Sequence, residues 1–236
     1  MEQRSVALDG PAGAGKSTLA RMAAEHFGLV YVDTGALYRC IGLFASRRGI
    51  ASKDTEGINA FLPEIAIGIK YADNGDQRML LCDEDVTDAI RFPEASRYAS
   101  DVSAMPTVRE YLLSMQRDMA ERHDVIMDGR DIGTVVLPDA GLKVFLTADS
   151  EVRAKRRYIE LSEKKVQTTF CEVHRAMNRR DKNDSEREWA PLKAADDAII
   201  LDTTRLTLKE SFDALCKLIT TMAQQAPGGF AYEAQK

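Results

Sequence analysis

The stretch Gly10-Pro11-Ala12-Gly13-Ala14-Gly15-Lys16-Ser17 constrains the fold more than anything else in the chain, because it matches GxxxxGK[ST] at every fixed position. It lies between a short apolar run, Ser5 to Leu8, and a helical pattern from Lys16 to His26. In that context the glycines let backbone amides turn inward around phosphate oxygens, and the helix N-terminus adds the positive end of its dipole. Lys16 reaches the β- and γ-phosphates, Ser17 offers a hydroxyl to Mg²⁺, and Thr18 follows in the first helical turn. The alternative is a Gly-rich strand-to-helix turn with an accidental lysine, which would need all the fixed positions to coincide by chance. The segment reads as a nucleoside triphosphate site, with Mg²⁺ entering alongside ATP.

The rest of the chain has the rhythm this motif requires. Apolar runs at Ser5 to Leu8, Leu29 to Val32, Val125 to Met127, Lys143 to Leu146 and Ala198 to Leu201 alternate with helical patterns. These patterns lie at Lys16 to His26, Leu37 to Arg48, Pro106 to Arg122, Ser150 to Glu163, Thr169 to Arg180 and Leu208 to Met222. Such alternation predicts βαβ units and a parallel sheet. Asp9, Asp33 and Asp128 fall where strands open into their C-terminal loops, the places where such sheets bind ligands. Ile65 to Tyr71 and Arg78 to Cys82 flank Ala72-Asp73-Asn74-Gly75-Asp76 and predict an antiparallel hairpin, which Glu84 to Ile90 could continue. The expected organisation is a core of residues 1–60 and 95–225, an inserted hairpin region at 61–94 and a loose tail at 226–236.

Charge and composition narrow the function. Among 236 residues, 32 Lys and Arg face 37 Asp and Glu, a net charge of −5, which argues against a general polyanion binder. With 44% hydrophobic residues the chain is an ordinary folded protein, long enough to bury roughly 70–75% of its unfolded surface. No apolar segment suits a signal peptide or a membrane span. Cys40, Cys82, Cys171 and Cys216 are scattered and read as reduced small hydrophobes, so the expected compartment is the cytoplasm. A guanine-reading Asn-Lys-x-Asp is absent, which disfavours a GTPase switch, and a nucleic-acid-associated P-loop ATPase is disfavoured on charge. Small-molecule phosphoryl transfer remains.

Three further motifs bear on the acceptor. They are Asp33-Thr34-Gly35-Ala36-Leu37-Tyr38-Arg39, Asp128-Gly129-Arg130-Asp131-Ile132-Gly133-Thr134, and Arg180-Asp181-x-x-Asp184-x-x-Arg187-x-x-Ala190-Pro191-Leu192. Together with the phosphate loop they resemble the bacterial cytidylate kinases from about Val6 to Leu218. The resemblance implies an α/β P-loop three-layer fold with a five-stranded parallel sheet. To this it adds a small antiparallel β insertion that enlarges the monophosphate-binding part, and a short helical lid at about 153–188. It implies transfer of the ATP γ-phosphate to CMP or dCMP, with no nucleic-acid or membrane partner, by a protein expected to be a monomer. A P-loop kinase of another nucleoside monophosphate or small metabolite is the alternative.

The chemistry of such a reaction fits the residues. A nucleoside monophosphate has a second phosphate pKa near ~6, so it arrives mostly ionised and needs no general base. It needs cations to hold two repelling phosphates in line. Arg39 and Arg130 match positions that bind the acceptor phosphate. Arg153 and Arg157, four apart on one helix face, match lid arginines over ATP, although an exposed mixed-charge helix is the competing reading. Cytosine offers a donor at N4 and acceptors at N3 and O2, which suits Asp131 and Arg109, with the Ser100 hydroxyl adding a contact. Thr34 stands where many relatives have Ser. Arg180 and Asp184 match sugar-contacting positions, and Arg187 one that reaches phosphate; the spacing predicts Asp184 flanked by Arg180 and Arg187 along one helix. Asp181 and Asp184 could instead neutralise Arg179 and Arg180, and Trp189 is expected to pack in the lid.

Overall fold

The computed structural model describes residues 4–72 and 77–225. Asp73 to Asp76 of the expected hairpin turn and the tail from Ala226 lie outside the described residues. The fold opens with β1 (Ser5–Asp9), buried from Val6 onward, and α1 (Lys16–Phe27). Left-handed Gly15 and Gly28 bound α1, and Leu19, Ala20, Ala23 and Phe27 form its buried stripe. Next come β2 (Val30–Asp33) and α2 (Thr34–Arg47), which begins three residues before the sequence pattern because the Asp33 carboxylate caps it, accepting the Ala36 N–H. α3 (Thr55–Phe61), β3 (Ile67–Tyr71), β4 (Gln77–Leu81), β5 (Glu84–Asp85), α4 (Pro93–Val102) and α5 (Pro106–Arg122) follow. The chain then enters β6 (Val125–Gly129), a five-residue π-helical turn (Ile132–Val136), β7 (Leu142–Thr147) and α6 (Ser150–Glu163). α7 (Phe170–Glu186), β8 (Ile199–Asp202) and α8 (Leu208–Gln225) complete it.

The five-stranded sheet has the order β2-β6-β1-β7-β8. β1 pairs in parallel with both β6 and β7, and β7 with β8. β3, β4 and β5 form a separate antiparallel sheet, β4 and β5 being joined through Cys82 and Asp83, both at positive φ. α3 and α4 are helices beyond those that the sequence pattern predicts. Ser100 lies in α4. α7 also runs six residues past the expected Arg180, started by a capping box in which Thr169 and Glu172 satisfy each other's backbone.

The described residues group into two compact units. One comprises the chain up to Tyr31 and from Arg122 onward. Its main core packs α1 and α8 against the sheet through Val6, Leu8, Leu19, Phe27, Ile126, Val144, Leu146, Leu215 and Ile219. A smaller cluster of Ala12, Ala154, Leu161, Val173 and Met177 joins α6 to α7. The other unit, Val32–Glu121, contains the inserted hairpin and has its own core around Leu37, Ile41, Ile58, Phe61, Met79, Ile90 and Leu112. Within it α2 packs closely on α4: a Cβ at Gly42 would lie 2.6 Å from Tyr98 Cβ. Among the described residues no helix is long and apolar enough to cross a membrane.

Candidate functional site

In the first unit the phosphate loop is fixed at both ends. Gly10 has φ +145°, and a Cβ there would lie 1.9 Å from the Leu146 carbonyl oxygen, so only glycine fits this exit from β1. Lys16 is buried and donates from Nζ to the carbonyls of Gly10 (2.7 Å) and Pro11 (2.8 Å), curling the loop around its ammonium. Burial and the nearby Arg130 and Arg180 guanidiniums hold its pKa well below the usual lysine value, although Asp128 and Asp9 act the other way. Ser17 Oγ donates to Asp128 Oδ2 at 2.6 Å, and Tyr31 donates to the other oxygen at 3.2 Å.

Arg153 is not an exposed lid arginine. It is buried, donating from Nε to Ala148 O (2.9 Å) and from Nη1 to Ala12 O (2.8 Å) and Asp181 Oδ2 (2.5 Å). Asp181 Oδ1 in turn accepts the Ala12 N–H at 3.0 Å. Asp181 thus grips the phosphate loop from α7 instead of neutralising Arg179 or Arg180. Arg157, which shares the α6 face with Arg153, pairs with Glu160 at 2.6 Å and is partly exposed.

The expected single helix through Arg180, Asp184 and Arg187 needs correction, although both arginines act on Asp184. α7 ends at Glu186, and Arg187 has extended backbone (φ −66°, ψ 143°), so Arg187 leaves the helix face shared by Arg180 and Asp184. The first cation on Asp184 comes from the loop after β6: Arg130 Nε donates to Oδ2 at 2.8 Å, with Arg180 Nε at 3.9 Å. Burial would raise the Asp184 pKa, but Arg130, Arg180 and Arg187 outweigh it and hold the carboxyl below the usual carboxylate range. Reciprocally, burial alone would lower Arg130, and Asp184 overcomes it to raise it. Arg187 lies 3.5 Å from Asp131 and donates to Ala190 O at 2.5 Å. Trp189, expected in lid packing, is 58% exposed.

In the second unit Asp33 organises the start of α2. Besides capping the helix it accepts from Arg39 (2.7 Å) and Arg91 (3.3 Å), while its own N–H is taken by Gln77 Oε1 of β4 (2.9 Å). Burial would raise its carboxyl; the two arginines override that and lower it. Thr34, the first residue of α2, is buried. Arg109 donates to Ser103 O at 3.1 Å and lies 5.7 Å over the Tyr38 ring. Arg39 Nε and Ser100 Oγ are buried with no hydrogen-bond partner among the described residues. Each such orphan costs about 1–3 kcal/mol, a penalty an oxygen-rich ligand would remove.

The chain matches the family model described as cytidylate kinase over residues 6–221. It belongs to the cytidylate kinase family. A cytidylate kinase of Caldicellulosiruptor saccharolyticus is 49% identical, the alignment covering 92% of this chain and 96% of that protein. One from Geobacter sulfurreducens is 44% identical over 94% and 95%. Among solved structures, an uncharacterised protein from Eubacterium ventriosum superposes with a TM-score of 0.52 at 13% identity, covering 93% of this chain and 99% of that one; this likeness concerns the fold alone.

No site role was expected of Asp181, which binds the phosphate loop, or of Arg91 and Gln77, which bind Asp33 in the second unit. Asp128 stood at a strand end and carried a signal; Gln77 carried none, because its role depends on the pairing of β4. The Ser17 hydroxyl and the Asp128 carboxylate are hard oxygen donors within 2.6 Å, which suits Mg²⁺. Among the described residues no cluster of three or more His, Cys, Asp or Glu could hold a metal alone.

Proposed function

We propose that this enzyme transfers the γ-phosphate of ATP to CMP or dCMP, giving ADP and CDP or dCDP. The observation that carries this reading is a phosphate loop curled around Lys16 in a chain that matches the cytidylate kinase family model over residues 6–221. The Lys16 ammonium has its proton affinity depressed first by burial and then by Arg130 and Arg180, against Asp128 and Asp9, and a polyphosphate would relieve it. The Gly10–Ser17 amides and Lys16 hold the β- and γ-phosphates, with Arg157 and the Arg153-braced loop supporting the ATP side. Mg²⁺, held by the phosphates and Ser17, would supply positive charge to the oxygens between which the phosphoryl group moves. Arg130 and Arg187 present cations to the acceptor phosphate, and in the second unit Arg39 does the same with its spare Nε. Asp131 and Arg109 read the cytosine edge with Ser100, Thr34 lends a hydroxyl beside it, and Arg180 with Asp184 contacts the sugar. No side chain need act as base, since the attacking oxygen is already ionised.

The same reading has the insertion at 61–94 serving monophosphate binding and residues 153–188 closing as a lid. It also has the protein acting as a cytoplasmic monomer without nucleic-acid or membrane partners, in keeping with its net charge of −5 and its free cysteines. ³¹P NMR of the protein with Mg-ATP and CMP tests the reaction directly. The β-phosphorus of CDP grows in as the γ-phosphorus of ATP is lost; ATP loss with release of inorganic phosphate alone would overturn the assignment.

A further inference from the structure

Asp9, the last residue of β1, is 5% exposed, and both carboxylate oxygens are engaged. Oδ1 accepts the Ile132 N–H and Oδ2 the Gly133 N–H, each at 2.8 Å. These two amides open the π-helical turn that follows Arg130 and Asp131. Further along, Val135 and Val136 donate to the Asp131 carbonyl at 2.9 and 3.2 Å, and Leu137 to Ile132 O at 2.7 Å. The first two amides of the turn are therefore held by one carboxylate, whose place is set by the sheet. Asp9 is registered against Gly129 of β6 and Phe145 of β7, and the next residue is Gly10, sealed against Leu146.

We propose that Asp9 is a positioning residue: planted at the root of the phosphate loop, its ionised carboxylate fixes the Ile132 and Gly133 amides and so aims Arg130 and Asp131 at the acceptor. The functional half of this rests on the acceptor roles given above to Arg130 and Asp131. When Asp9 is protonated, its hydroxyl oxygen becomes a donor facing another donor, and one of the two amides loses its acceptor.

The charged groups acting on Asp9 are Asp131, which opposes its ionisation, and Lys16 of α1, which favours it. Asp128 of β6 lies one residue before Gly129 in the register, and the Lys143 stem of β7 packs where a Cβ on Gly133 would be. Burial is the largest influence and raises the carboxyl to about 6, against the two amides that lower it. Protonation is thus within reach of mild acid. Because the folded-state value lies above the ordinary 3.8, protonating Asp9 favours the folded state. Acidification through about 6 then weakens acceptor handling without a loss of stability from this group.

The acceptor phosphate titrates near the same pH, so an activity profile alone does not isolate Asp9. The first measurement is the ¹⁵N–¹H shift of the Ile132 and Gly133 amides in the wild-type protein without ligand from pH 8 to pH 5. Both should move with one shared midpoint near the raised carboxyl value; amides that stay flat would overturn the coupling. The second is Asp9→Asn, whose amide retains one acceptor and turns a donor toward the other N–H. At pH 8 its kcat/KM for CMP should fall roughly 10- to 100-fold, with the KM for ATP within about twofold. The wild-type advantage should shrink as the pH is lowered to 5.5. A wild-type kcat/KM for CMP, or a loss of equal size at every pH, would overturn the positioning role. If Asp131→Asn left the preference for CMP over UMP unchanged, the base-reading role itself would fall, whatever the amides show.

Discussion

Removing the Lys16 ammonium separates catalysis from folding. The apo protein holds this charge buried and among arginines, with its pKa depressed, so folding gains nothing from it near neutral pH. Lys16→Ala should keep or raise the melting temperature while kcat falls about 10²–10³-fold, the usual loss for one preorganised group facing the transferring charge. Circular-dichroism melting and a coupled ADP assay on one preparation check both halves; near-normal turnover would contradict the assigned role. Asp33 and Asp184 carry the opposite linkage to Asp9. Their folded-state values lie below the ordinary 3.8, so the stability they contribute is present above that pH and is lost as pH falls further. Urea midpoints compared at pH 5 and pH 2.5 should drop accordingly. Burial raises the Cys40 thiol to about 12, whereas Cys82 and Cys171 are exposed. A thiol reagent at pH 8 should label the two exposed cysteines promptly and Cys40 only on unfolding, as peptide mapping would show.

The packing of α2 on α4 offers a test at the scale of elements. With Tyr98 Cβ 2.6 Å from the place of a Cβ at Gly42, Gly42→Val should destabilise the second unit by about 1–3 kcal/mol. Thermal melting and proteolysis mapped to residues 32–121 would register the loss; an unchanged melting temperature would contradict the packing. The strands and long helices of the sheet were legible because their apolar runs and periodicities are local. α4 is legible too: Ala95, Tyr98, Ala99 and Val102 keep the i, i+3, i+4, i+7 spacing after a Pro at its first position. α3 is seven residues long and contains Gly57, so its formation depends on the Asp54 cap and on burial of Ile58 and Phe61. In the site, the phosphate loop could be read from its own letters. The pairing of Arg130 with Asp184, 54 positions apart, could not, nor the grip of Arg153 and Asp181 on Ala12. Those contacts exist only once the loop after β6, α6 and α7 converge.

For the whole molecule, binding of either nucleotide must add to stability with the logarithm of the ratio of its concentration to Kd. Mg-ATP at about 100 times Kd should stabilise the wild-type protein by about 2.7 kcal/mol. Within the first unit the cations acting on Lys16 are Arg130 and Arg180. The measurement that tests the account most directly is kcat/KM for CMP, dCMP, UMP and AMP with saturating Mg-ATP. CMP and dCMP should lead UMP by a factor of up to about 10⁴, because uracil sets a carbonyl against Asp131 and a protonated N3 against Arg109. Asp131→Asn should narrow that gap, since its amide can donate to the uracil carbonyl. Equal kcat/KM for CMP and UMP, or a preference for AMP, would contradict the account.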